Sequence, residues 1–416
     1  MINQFADNKG DRAVLHELLQ LVFNTVPDAT VTVSTTRPDT WMGESFGGRV
    51  DTQRVNFVSW AWTHPVNRVL GRIAGSVFSR YVYPAFARAA SERSKLPLLC
   101  ALMLNRRMRK AISTADLIIS TGGHHFTNWF ARTGESPLFL DLGLCVMSGK
   151  PVCLWSQTIG PLDFSIPRYQ ELVYDLLCRV KVICVRDENS LPELQKAGVM
   201  PHATHETLES VFAYDAGKLA PPSKRPRRVG ISIYTGPDRE AITPEKYTTI
   251  IADYISYAVG RGYEVCFFPM QIGGRPGDDR PLIRQIIERS GVTGGAVLID
   301  ADLPTHEHVK AVANCAIYLA HKTHSIVFAL ATGTPTVAIA YHPKSSDFMA
   351  LYGLEDYCRP EEEINAEWLV ERHDRLEEIG DGIFTSQNET TERVAARIRN
   401  DFAEMLRCAS DRIGER

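Results

Sequence analysis

Apolar positions in the first third of the chain switch between two periods. Val14, Leu15, Leu18, Leu19, Val22 and Phe23 recur at helical spacing, which predicts a helix over 13–26, stopped by Pro27-Asp28. Residues 29–34, Ala-Thr-Val-Thr-Val-Ser, carry the β-branched alternation of a strand. Three short buried strands are predicted next, each running into a turn with polar chemistry. They are 117–120 into Thr121-Gly122-Gly123, 151–155 into Gln157-Thr158-Ile159-Gly160-Pro161, and 182–185 into Arg186-Asp187. Helix-length segments over 168–181 and 190–197 lie between, the second closed by Gly198. A strand is also expected ahead of Asn8-Lys9-Gly10-Asp11, and only residues 2–5 are available to supply it.

Prolines and basic residues at 216–228, AGKLAPPSKRPRR, break this rhythm and read as a linker. A second series follows, with strands at 229–234, 264–269, 296–299, 317–320 and 335–340. Helices are predicted at 247–260, 281–290, 306–314 and 325–331. Strand, turn and helix in repetition give the fold class: α/β, two Rossmann-like doubly wound domains facing a cleft. The first domain is assigned to 1–215 and the second to 229–385. Residues 386–416 form a C-terminal extension whose helix, 390–413, is expected to cross back onto the first domain.

Residues 54–110 do not fit the alternation. Eleven lysines and arginines stand against one acid, Glu92, with Trp60, Trp62, Phe78, Tyr81, Tyr83 and Phe86 interleaved. Such a helical insertion can rest on an anionic membrane surface or hold a lipid-linked diphosphate. The plainer reading, solvated arginines over core aromatics, is preferred.

At 416 residues the chain exceeds one ordinary core, in keeping with two domains. Hydrophobic residues at 44% and charged residues at 23% are the balance of a globular protein. A net charge of -3 argues against nucleic acid as a partner. The nine cysteines stand singly, without a CxxC pair, and most lie in apolar runs. Reduced core thiols are expected rather than disulfides or zinc. No secretory leader pattern opens the sequence, and no uncharged run approaches the ~20 residues of a membrane span. A cytoplasmic location is therefore expected, with peripheral contact at the inner membrane surface left open by the basic insertion.

Four clusters fall where a predicted strand's carboxyl end meets the next helix, the edge at which open α/β sheets collect ligands. In Asn8-Lys9-Gly10-Asp11, Gly10 permits a tight turn and Asp11 can cap the helix. Thr121-Gly122-Gly123-His124-His125 either admits a ligand close to backbone or is a plain turn. Gln157 to Pro161 is paired with Val185-Arg186-Asp187-Glu188-Asn189-Ser190. Arg186, planar and always charged, suits a phosphate or carboxylate, whereas Asp187 reads better as a structural cap or ion-pair partner. The fourth cluster is His321-Lys322-Thr323-His324-Ser325, followed by Thr332-Gly333-Thr334-Pro335 and Ala340-Tyr341-His342-Pro343-Lys344. It brings Lys322, the imidazole of His324 and Lys344 to one edge. Two lysines and an arginine around one histidine fit a small, multiply charged phosphate-carboxylate. His321 and His324 have the spacing of two metal ligands on one helix face. No neighbouring Cys or carboxylate completes a set, so no metal is expected.

In these stretches the sequence resembles the polysaccharide pyruvyl transferase family, including its colanic-acid-type members. NKGDRAVL resembles the family's N-x-G-D turn, STGG its glycine turn, and SQTIGP with VRDENS its paired mid-domain motif. HKTHSIVFALATGTPTVAIAYHPK resembles its R-L-H…G-x-P-x-x-A-I-x-Y-x-x-K stretch, so the ordered set spans nearly the whole chain. The resemblance implies a GT-B-like enzyme of exopolysaccharide and cell-envelope biosynthesis, with phosphoenolpyruvate as donor and no cofactor. It implies that Arg186, Lys322, Lys344, Gly122 and Gly123 meet the donor and that the second domain holds it. Asn8, Asp11 and His125 would meet the acceptor, a saccharide or lipid-linked oligosaccharide, and His324 would be the catalytic histidine. Lys322 stands where the family has an arginine, which keeps the charge and loses the bidentate geometry.

The implied chemistry protonates the donor's vinyl carbon, lets a sugar hydroxyl attack, and closes a cyclic ketal with a second hydroxyl as phosphate leaves. The neighbouring cations are expected to lower the pKa of His324 and favour a base role until the donor's anions arrive. Two alternatives stand beside this reading. One is a GT-B-type glycosyltransferase using a nucleotide sugar, for which Glu355-Asp356 would be the ribose-binding carboxylates. The other is a non-catalytic carbohydrate-binding homologue, with Lys322 marking a decayed site.

Overall fold

Ile2 and Gln4 supply the expected first strand as two parallel bridges, Ile2 to Ser120 and Gln4 to Thr35. The Ile2 N–H donates to Ile119 O at 2.9 Å and the Gln4 N–H to Ser34 O at 3.2 Å. The structure is a computed structural model that describes all residues except 7, 49, 61–80, 131–135, 218, 236–241, 274–276 and 411–416. The opening segment joins β1 (Val31–Thr35) and its partner β2 (Val55–Ser59) to β3 (Ile118–Ser120). Beyond β3 the sheet continues through β5 (Val152–Ile159), β6 (Val182–Val185) and β7 (Thr204–Glu206), while β4 (Gly123–Phe126) also pairs with β5. Every pairing is parallel.

The second sheet holds β8 (Arg228–Ile231), β9 (Glu264–Phe267), β10 (Ala296–Leu298), β11 (Ile317–Ala320), β12 (Thr336–Ala340) and β13 (Cys358–Pro360). Its order is β10-β9-β8-β11-β12-β13, the doubly wound order in which the chain reverses direction between first and fourth strands. With residues 2–4 counted as its first strand, the first sheet reverses in the same way between that segment and β3. Each sheet therefore has a switch point at its carboxyl edge. One lies under the helix Lys9–Thr25 and the other under the helix Thr323–Ala331. Leu15 and Leu18 of the first helix share a continuous core with Phe212 and with Ile326 and Phe328 of the second.

Three segments differ from expectation. Residues 55–59 lie inside the supposed insertion, yet they form β2, the edge of the first sheet. The dense charge around Val-Asn-Phe-Val-Ser hides a five-residue strand signal. Of the insertion's aromatics, Phe86 is fully buried, Tyr83 packs on Tyr169 with ring centroids 5.9 Å apart, and Tyr81 is exposed. Trp62, Arg68, Arg72, Phe78 and Arg80 lie outside the described residues.

The 216–228 segment is strapped to the second sheet rather than loose. Arg225 is buried and donates from Nη1 to Cys315 O and Thr334 Oγ1, each at 3.0 Å, while Ser223 Oγ donates to Asp381 Oδ2 at 2.6 Å. The last helix starts earlier than its apolar spacing predicts and runs Asp381–Ser410. Its first half packs on the second domain, with Tyr352 OH 3.0 Å from Thr391 Oγ1. Its second half lies on the first, with Phe402 edge-on to Trp155 at 5.0 Å and Asp401 accepting from Thr207 Oγ1 at 2.8 Å. All nine cysteines are free thiols. Among the described residues no helix is long and apolar enough to cross a membrane.

Candidate active site

The two switch points face each other. The helix Lys9–Thr25 starts at Asn8, whose extended backbone and side-chain oxygen cap it, accepting from the Gly10 N–H at 2.7 Å. Asn8 rather than Asp11 is the cap, because Asp11 already belongs to the first turn and cannot reach back to the orphan N–H groups. Lys9 N–H donates to Met270 O at 3.1 Å and docks this helix start on the second domain. Gly10 is helical, so no tight turn requires it. Close approach does: a Cβ there would fall 2.2 Å from Cγ and Nδ1 of His324.

His324 sits in the first turn of Thr323–Ala331. Its Nε2 is shielded from solvent and has no hydrogen-bond partner among the described residues. Burial pushes its pKa down to about 4; Glu209 opposes this, and Arg186 and Lys344 add to it. The ring is therefore neutral at physiological pH, as the sequence led one to expect, but burial outweighs the cations as the cause.

Lys344 opens the helix Pro343–Leu351, where His342 Nδ1 accepts its N–H at 3.2 Å. Its side chain crosses to the first domain, donating to Thr158 Oγ1 and lying 3.2 Å from Asp187 Oδ2. Arg186 approaches Thr158 too, its Nε donating to Oγ1 at 3.1 Å, while Nη1 pairs with the buried carboxylate of Glu209. Among the described residues Nη2 of Arg186 has no partner. Asp187 does cap the helix Ser190–Lys196, accepting from Ser190 N–H at 3.1 Å and Oγ at 2.8 Å. Its ionic partner is Lys344 rather than Arg186. Burial works to raise the Asp187 pKa, but Lys344 and the hydrogen bonds from Thr158 and Ser190 hold it below the usual carboxylate range.

His124 is a neighbour that the sequence reading passed over in favour of His125. Its Nε2 lies 2.6 Å from Gly160 O, and since a carbonyl only accepts, Nε2 carries the proton and Nδ1 keeps its lone pair. Burial takes its pKa down to about 4, with Gly160 opposing and Lys344 and Arg186 adding. Its ring meets the exposed Trp129 edge-on at 4.6 Å. His124 is partly buried, whereas His125 is buried and lies against Phe5 at 5.4 Å; the sequence of β4 does not signal the difference, because Gly123 and Phe126 on either side are buried too. Glu209, just past the short β7, gave no sequence signal.

The remaining candidates are occupied by the protein itself. Lys322 binds both oxygens of the fully buried Asp279, at 2.8 and 2.9 Å. Asp279 also accepts from Thr235 Oγ1 at 2.9 Å and from the N–H groups of Met270 and Gln271 at 2.9 and 3.0 Å. Gly122 is needed for closeness to Ser156 O and Val14, and Gly123, at φ 152°, for closeness to the His125 ring. At Asp11 it is the main-chain carbonyl, not the carboxylate, that accepts from Gln4 Nε2 at 2.7 Å. His321 is buried, with Nδ1 2.9 Å from Tyr247 OH. Among the described residues no group of three His, Cys, Asp or Glu side chains stands together as metal ligands. Glu355 and Asp356 are exposed in a short turn, Glu355–Tyr357.

Comparison with known proteins bears on this geometry. The sequence pattern of the polysaccharide pyruvyl transferase family matches residues 8–343. Amylovoran biosynthesis protein AmsJ of Erwinia amylovora is 23% identical over 257 residues, 58% of this chain and 60% of AmsJ, so the likeness spans about three fifths of that relative. Among solved structures, Anabaena Alr3699/HepE in complex with UDP-glucose aligns over 98% of both chains at 15% identity with a TM-score of 0.56. UDP-GlcNAc 2-epimerase from Neisseria meningitidis aligns over 97% of this chain and 98% of its own at 10% identity, TM-score 0.58. These structural likenesses show the two-domain GT-B-type fold.

Proposed function

The chain belongs to the polysaccharide pyruvyl transferase family, and from that premise we propose that it transfers the three-carbon unit of phosphoenolpyruvate onto two hydroxyls of a saccharide or lipid-linked oligosaccharide, closing a cyclic ketal. The observation that carries the proposal is the meeting, across the two domains, of Arg186, Lys344 and the unpartnered His324. Arg186 Nη2 and the Lys344 ammonium take the donor's phosphate and carboxylate, charge-assisted contacts of the stronger kind. Lys322 serves the site indirectly, holding Asp279 and through it the Met270–Gln271 backbone on which the Lys9–Thr25 helix docks. The acceptor enters beside Asn8 and Asp11, with Gly122, Gly123 and His125 behind.

In the reaction C3 of the donor gains a proton and C2 becomes oxocarbenium-like. A sugar oxygen bonds to C2, the C2–O bond to phosphate breaks, and the second sugar oxygen completes the ketal. Of the two hydroxyl protons released, one balances the proton gained by C3 and the other leaves on phosphate. His324, neutral before the donor binds, gains basicity from the donor's negative charge, accepts a hydroxyl proton and passes it to the departing phosphate.

Thermal unfolding with phosphoenolpyruvate, UDP-glucose and GDP-mannose in turn tests the assignment. A ligand at a hundredfold excess over its dissociation constant adds about 2.7 kcal/mol of stability. A rise with phosphoenolpyruvate, lost in Arg186→Gln, is expected. A rise with a nucleotide sugar and none with phosphoenolpyruvate would replace the pyruvyl donor with a glycosyl donor.

A further inference from the structure

The segment 93–110, which supplies no residue of the cleft described above, presents an unusual surface. The short helix Leu98–Met103 exposes Leu98 at 75%, Leu102 at 63% and Leu99 at 43%. Arg93, Lys95, Arg106, Arg107, Arg109 and Lys110 flank it, all exposed; Glu92 is the acid within this stretch, and Arg93 is also paired with Asp175 at 3.8 Å. The leucines are held out by a firm base. Cys100 is buried, its thiol donating to Val82 O at 3.4 Å, Leu104 and Met108 are buried, and Asn105 caps the next helix, Arg106–Thr114, at 2.9 Å. Behind them opens a cavity of about 560 Å³ lined by Leu96, Leu104, Met108, Ile112, Leu144 and Met147. Arg93, Lys95, Arg109 and Lys150 also line it.

We propose that this face docks on an anionic lipid bilayer, with the leucines entering the acyl boundary, the cations meeting lipid phosphates, and the apolar cavity admitting a lipid chain. Exposed leucines ringed by cations are what binding in the interface plane requires: apolar area for depth and positive charge for anionic headgroups. Charge also decides the occupant. A second copy docking by the same face in a two-fold contact would set six cations against six, with Glu92 and the Asp175 paired to Arg93 to offset them. A bilayer supplies the opposite sign. The inference does not depend on which donor the cleft takes.

Sedimentation with vesicles tests it, using phosphatidylcholine alone and phosphatidylcholine with about a third phosphatidylglycerol. Wild type is expected to sediment with the anionic vesicles only. Arg106→Gln with Arg107→Gln should weaken binding about 25-fold, fivefold for each cation near the surface. Leu98→Gln with Leu102→Gln should abolish the binding that survives in high salt, at an unchanged melting temperature because both side chains are exposed. Absence of binding to anionic vesicles would overturn the proposal, as would binding indifferent to the leucine changes. Concentration-dependent self-association abolished by the same leucine changes would reassign the face to a second copy.

Discussion

Two ionic clusters bridge the domains, and they carry the same formal charge. In one, Lys9 and Arg12 face Asp302 and Glu44; in the other, Lys344 and Arg186 face Asp187 and Glu209. In the first, both cations are fully engaged. Lys9 donates to Asp302 and to Leu303 O, while Arg12 spends Nε on Ala6 O at 2.7 Å and its remaining nitrogens on Asp302 and Glu44. Glu44 is further held by Thr305 N–H and lies 3.2 Å from His16 Nε2. The second keeps Arg186 Nη2 and His324 Nε2 without partners among the described residues. Charge count does not distinguish a clamp from a site. The arginines do: among the described residues Arg12 uses all three nitrogens and Arg186 only Nε and Nη1, whereas an unpartnered buried imidazole nitrogen is common to both clusters, on His16 in one and His324 in the other.

The largest expected effect belongs to His324. His324→Gln should cut turnover by about 10²–10⁴ while the melting-point rise with phosphoenolpyruvate persists. Unchanged turnover would make the second cluster a clamp like the first. Next comes Arg12→Met, expected to cost roughly 3 kcal/mol in urea unfolding, because its buried carboxylate partner is stranded, with donor affinity untouched. Loss of donor affinity there would merge the two clusters into one site. Lys344→Met should weaken phosphoenolpyruvate binding about tenfold to a hundredfold by calorimetry, the worth of a charge-assisted contact.

The smallest effect is a pH dependence. Burial, then Arg186, brings the Lys344 pKa down to about 8 against the pull of Asp187. Donor affinity should therefore hold below pH 8 and weaken by up to about tenfold per unit above it, as the ammonium loses its proton. Stability moves the other way. The folded pKa lies below the unfolded value, so between about 8 and 10.5 the unfolded chain binds the extra proton and rising pH favours the fold. A Lys344→Arg variant should flatten both curves.

Much of this was readable before any coordinates. The 182–185 and 317–320 strands have the predicted bounds, because short apolar runs closed by turn residues leave little freedom. Arg186, His324 and Lys344 were legible as strand-end residues, since a doubly wound sheet sends such positions to one edge. What stayed hidden is pairing across distance. Nothing local tells that Lys322 belongs to Asp279, 43 residues upstream, or that Glu209 lies against Arg186. Both lysines read as free cations in the sequence, and only the fold separates one that is spent from one at the cleft.

The helix Asp381–Ser410 has a mechanical consequence. At about 1.5 Å per residue it is a beam of about 45 Å, seated on the second domain at Thr391 and on the first at Phe402. Ser223, in the earlier crossing, is fastened to Asp381 at the foot of that beam. Two crossings of the chain thus share one pin. Any opening of the cleft has to part Lys344 from Thr158 and Asp187, because those contacts join the two domains.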